Sequence, residues 1–127
     1  MTRPLPLLRL AAALALLVTP VAADPLAVET HYSPAENLEK IDVAQIRAAT
    51  RSIDIAAYVL TDVAVIEALT QAAGRGVNVR LFRDSSGREL FGRPLEALQK
   101  LAATPNVAVR FNTGRALMHL KSYCVDG

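Results

Sequence analysis

An α/β fold, built on a mixed and largely parallel sheet with helices on both faces, is the class this sequence predicts. Three observations carry that expectation. Short runs rich in β-branched residues alternate with stretches of helical periodicity. Cap residues, glycines and prolines punctuate the junctions, and the stretches between strands are long enough for right-handed crossovers. Ala, Leu and Val dominate a chain that is 52% hydrophobic and has no tryptophan, a composition that suits helices packed on a sheet.

Each element follows from local pattern. Leu26, Val28, Thr30 and Tyr32 alternate with Ala27, Glu29 and His31, the period of a strand, which Ser33-Pro34 ends. Glu36 to Thr50 places Leu38, Ile41, Gln45 and Ala48 at helical spacing, with Ser33 or Asn37 available as a cap. Ser52 to Leu60 is almost continuously apolar, as in a strand buried on both sides. Thr61 or Asp62 then caps a helix that carries Ile66, Leu69 and Ala73 on one stripe and stops at Gly74-Arg75-Gly76. Val77 to Phe82 is the next strand, followed by loop chemistry at Asp84-Ser85-Ser86-Gly87. A helix from Pro94 to Ala103 ends at Thr104-Pro105. Asn106 to Phe111 alternates again, and after Asn112-Thr113-Gly114 a final strand runs from Ala116 to Val125.

The first residues are of another kind. Arg3 and Arg9 precede an unbroken apolar run from Leu10 to Val18, which meets Pro20 and then Val21-Ala22-Ala23. The run falls short of the roughly 20 residues a membrane span needs, and the layout is that of a secretory signal peptide. Residues 1–23 are therefore expected to be cleaved after Ala23, leaving a single secreted or periplasmic domain, residues 24–127, with no stable membrane span. Cleavage removes two bases and no acids, so the mature chain is formally neutral. Within it, residues 24–67 hold eight acids and three bases, whereas residues 68–127 hold four acids and nine bases. The second half favours an anionic partner. Cys124 is the only cysteine, which excludes an internal disulfide framework, and its alternation with apolar neighbours predicts a small buried hydrophobe.

The residues that carry chemistry lie at the end. His119 and Lys121 are two apart, so a strand puts an imidazole and an ammonium on one face, with Leu120, Ser122 and Cys124 on the other. Both groups can then address one anion, for which phosphate is the obvious candidate; a merely solvated strand face is the competing reading of the spacing. The pair is followed by Asp126 and Gly127, where a turn residue in an Asp-Gly hairpin is an equal reading for the aspartate.

The pattern His119-x-Lys121-x(4)-Asp126, closing an α/β series of strands, resembles the phospholipase D superfamily. The layout upstream is similar to its small secreted endonuclease branch, at Tyr32-Ser33-Pro34, Ile53 to Thr61 and Ala72 to Phe82. That resemblance implies a metal-independent phosphodiesterase with no cofactor and no metal ligand. His119 would be the nucleophile that forms a phosphohistidine, Lys121 would hold the non-bridging phosphate oxygens, and Asp126 would orient the site. It also implies a second histidine, which single-motif members obtain by pairing two chains as a homodimer. The substrate would be a phosphodiester in a phospholipid or a nucleic acid. His31 and the scattered arginines Arg75, Arg80, Arg83, Arg88 and Arg93, with Asp84, stay outside the catalytic set. The family pattern continues past Asp126-Gly127 with a Gly-Ser-x-Asn strand, so an incomplete domain is expected, with little turnover of its own. A secreted, inactive phosphate-binding or interaction module and a product without a stable fold are the alternatives.

Overall fold

The computed structural model describes residues 27–85 and 90–127. The expected leader, residues 24–26 and residues 86–89 of the loop after Asp84 lie outside them. Two units divide the chain, Met1–Thr30 and His31–Gly127. In the first, residues 27–30 form no regular element.

The second unit begins with α1, Leu38–Ala48, where the Asn37 side chain accepts from the Lys40 amide at 3.0 Å. Of the two caps the sequence offered, the asparagine is used. It satisfies one of the amides that the first helical turn leaves unpaired. β1, Ser52–Ala57, leads to α2, Val63–Gly74, capped by Asp62 through the Val65 amide at 3.2 Å. β2, Asn78–Asp84, is followed by α3, Arg93–Ala102, then β3, Val107–Asn112, and β4, Lys121–Val125. No helix among the described residues is long and apolar enough to cross a membrane.

The strands form one mixed sheet in the order β3-β2-β1-β4, parallel from β1 to β3 and antiparallel between β1 and β4. Because β1, β2 and β3 step across the sheet in one direction, right-handed crossovers deliver α2 and α3 to the same side. α1 packs on α2 there. Ile53, Ile55, Val79 and Leu81 point into that side and are buried with Ile46, Ile66, Leu69 and Leu101, forming the core.

The expectation of helices on both faces is thus met on one of them among the described residues. The other face presents Asp54, Arg80, Phe82, Ala108, Arg110, Ser122 and Cys124 around a groove of about 480 Å³. Cys124 is accordingly exposed, not the buried hydrophobe that its neighbours suggested. The strand expected at Leu26 to Tyr32 is also absent from residues 27–32. Val28 and Tyr32 are exposed, so the alternation there reflects no buried strand face among the described residues.

Candidate active site

The end of β4 is decided by its neighbour. The β1–β4 ladder runs from Ile53↔Val125 to Ala57↔Lys121, and one further bond, the Tyr58 amide donating to Leu120 O at 3.0 Å, closes it. Ala116 to Leu120, expected as strand, is therefore not in the ladder, because β1 has already ended. His119 sits just past the last bond, beyond the carboxyl end of β1. That is where open α/β sheets present ligand-binding groups.

The two basic side chains still meet. Lys121 Nζ lies 3.3 Å from His119 Nε2, with both residues exposed. An ammonium has no lone pair, so this contact is a hydrogen bond only when Nε2 is unprotonated and the ring proton is on Nδ1. An anion placed at this end of the strand can meet both side chains. Half-buried Tyr58 packs against both. Its ring meets the imidazole edge to face at 4.7 Å between centroids, and the Lys121 ammonium lies 6.0 Å from its centre. Lys121 also lines a cleft of about 220 Å³ with Asp42, Ile46, Asp62 and Tyr123.

Asp126 is elsewhere. Five residues of extended chain place it about 17 Å along from Lys121, at the opposite end of β4. There its carboxylate accepts from the Ser52 amide at 2.9 Å, the Arg51 amide at 2.6 Å, and the Thr50 amide and hydroxyl at 2.9 and 2.8 Å. Those bonds, the Ser52 amide foremost, hold it well below the usual carboxylate range. Asp126 takes a positive φ of 57°, as the turn reading anticipated. Its geometry is that of a tie between the α1–β1 junction and the end of β4, and it touches neither His119 nor Lys121.

Tyr58 and Asn112 lie beside the site and were not singled out by sequence, and Asp84 was named only together with the scattered arginines. Asp84 Oδ2 accepts from the Met118 amide at 2.7 Å and from Asn112 Nδ2 at 3.0 Å. An aspartate ending an apolar strand was the available signal. Arg75, Arg80 and Arg83, kept outside the catalytic set, have local roles. Arg80 pairs with Asp54 across the open face, and Arg75 donates to the carbonyls of Arg47 and Ala49. Arg83 lies 5.9 Å over the Phe111 ring. His31 bonds Glu36 through Nδ1 at 3.0 Å.

Comparison with known proteins now bears on this geometry. The family described as cardiolipin synthase, PLD-like domain, matches residues 43–127, which include His119, Lys121, Asp126 and every strand.

The chain belongs to the phospholipase D-like family.

Nuc from Salmonella typhimurium, a phospholipase D family member of known crystal structure, is similar at 26% identity and a TM-score of 0.65; the match covers 74% of this chain and 60% of Nuc. NucT from Helicobacter pylori is 21% identical with a TM-score of 0.58 over 68% of this chain and 58% of that one. Polyphosphate kinase from Porphyromonas gingivalis shares the fold at 16% identity and a TM-score of 0.53, over 69% of this chain and 15% of its own. No curated protein matches. The phospholipase D-like chain thus spans about three fifths of the length of Nuc and of NucT.

Proposed function

We propose that this chain provides one nucleophilic half of a metal-independent phosphodiesterase site. The observation that carries the reading is the His119–Lys121 pair, 3.3 Å apart at the sheet's ligand-binding end, in a phospholipase D-like chain. The His119 lone pair attacks phosphorus while the bond from phosphorus to the leaving oxygen breaks, and that oxygen takes a proton from an acid. Water then attacks the phosphohistidine. Its proton passes to the same group, now a base, as the N–P bond breaks and His119 regains its lone pair. Lys121 turns from His119 to the non-bridging oxygens, where charge builds in the transition state.

The acid and base of this scheme is the His119 of a second copy, brought opposite by a two-fold axis. Substrates are phosphodiesters of a phospholipid or a nucleic acid, met outside the cytoplasm after removal of residues 1–23. Support comes from the anion-favouring charge of the second half of the chain and from the likeness to Nuc, a phospholipase D family member.

Hydrolysis of a chromogenic phosphodiester by the full-length protein, including the strand that the family pattern places after Gly127, tests this. His119→Ala abolishes turnover, and Lys121→Ala lowers it by about 10²–10³, the scale for losing one strong transition-state contact. Chelator leaves the rate unchanged. Loss of activity in chelator with recovery on adding a divalent ion would make His119 a ligand and overturn the scheme.

A further inference from the structure

Among the described polar and charged residues only Asp84 is buried, at 4% exposure. It closes β2, stands in register opposite Asn112 at the end of β3, and lies where the chain turns toward His119. Burying a carboxylate costs free energy unless its oxygens are hydrogen-bonded, and an apolar residue at the same place would avoid that cost. What the carboxylate adds is direction.

The bonds around it form a single brace. Asn112 Oδ1 accepts from the Gly114 amide at 3.1 Å, and Asn112 Nδ2 donates to Ala116 O at 2.7 Å as well as to Asp84. The turn after β3 is therefore wrapped around the Asn112 side chain, and that side chain is fixed to Asp84. One residue before the imidazole, the Met118 amide donates to the same carboxylate oxygen. One residue after it, Leu120 O accepts from the Tyr58 amide. His119 belongs to no strand, and these two bonds pin its backbone on either side.

We propose that Asp84, with Asn112 as its brace, is a positioning residue for His119: it sets where the imidazole stands relative to Lys121 and to the phosphorus it attacks. The inference rests on the phosphodiesterase reading above. A nucleophile misplaced by an ångström loses on the order of 10²-fold in rate. Asp84→Ala removes the one oxygen, Oδ2, that accepts from both Asn112 Nδ2 and the Met118 amide, so the brace opens. Asp84→Asn keeps an acceptor there, since its amide oxygen can take both bonds.

The test uses the full-length protein with a chromogenic phosphodiester, together with the proton contact between the Tyr58 and His119 rings read by NMR. Asp84→Ala is expected to lower kcat by about 10²-fold with KM little changed, and to weaken the ring contact while the circular dichroism of the fold persists. Asp84→Asn should retain most of kcat and the contact. Wild-type kcat and ring contact in folded Asp84→Ala, or equal losses in the two variants, would overturn the proposal. Should Asp84→Ala fail to fold, exchange of the Met118 amide in the wild type decides: slow exchange supports the pin, and exchange as fast as at exposed Arg115 overturns it. A wild type that hydrolyses no phosphodiester would instead overturn the catalytic reading, with the ring contact and amide exchange still reporting on Asp84.

Discussion

A carboxylate that accepts from three consecutive backbone amides and a hydroxyl is held as an anion by the fold, and so the fold depends on that anion. Asp126 is in that position over Thr50, Arg51 and Ser52. Its folded pKa is depressed, so its stabilising contribution is present above the unfolded value of about 4 and is lost as pH falls below it. Asp126→Asn should therefore lower Tm at neutral pH and flatten the loss of Tm on acidification. Thermal melts of both proteins from pH 7 to pH 2 check this, and parallel curves would remove Asp126 from the tie. At this scale the sequence was half legible. His-x-Lys spacing anticipated a meeting of side chains that does occur, whereas Asp126 was grouped with them because the motif is contiguous in sequence. In an extended strand contiguity means distance, and five residues carry the aspartate to the other end. Asp84 was left outside the catalytic set for the opposite reason: its partners Asn112 and Met118 are far along the chain and meet it only through the parallel pairing of β2 and β3.

Elements were more readable than their ends. Periodicity located all three helices and the four strands of the sheet, because burial of a 3.6- or 2-residue pattern needs only a face to pack on. It overran where pairing partners stop, as at Ala116 to Leu120 beyond the end of β1. It also proposed a strand before Tyr32 where residues 27–32 have none. The covering of one sheet face follows from strand order, which no local pattern contains. α2 is the element on which the core depends most, since Ile66 and Leu69 are fully buried between its neighbours α1 and α3. Leu69→Ala should cost about 2–5 kcal/mol by removing core contacts and leaving a cavity, whereas Asp62→Ala should cost only about 1 kcal/mol through the lost cap. Urea denaturation measures both, and equal losses would mean that α2 is held by its end more than by its face. β4 is joined to α1 by the Tyr123 hydroxyl donating to Asp42 at 2.8 Å. Burial and that bond push the Tyr123 pKa up to about 12.

Among the described residues, one sheet face is closed by helices and the other is open, and the basic pair stands at the rim where β1 and β4 end. One histidine cannot readily serve as both nucleophile and general acid toward the same phosphorus, which is why the proposed site takes its second imidazole from a second copy. Every part of that scheme passes through a bond between His119 and phosphorus. The most direct measurement is to quench the protein in the act of turning over a phosphodiester and map phosphate onto its peptides. The scheme predicts one acid-labile, base-stable phosphate on the peptide carrying His119, present in wild type, absent in His119→Ala and insensitive to chelator. Steady turnover with no phosphate on that peptide, or phosphate that persists when His119 is replaced, would contradict it.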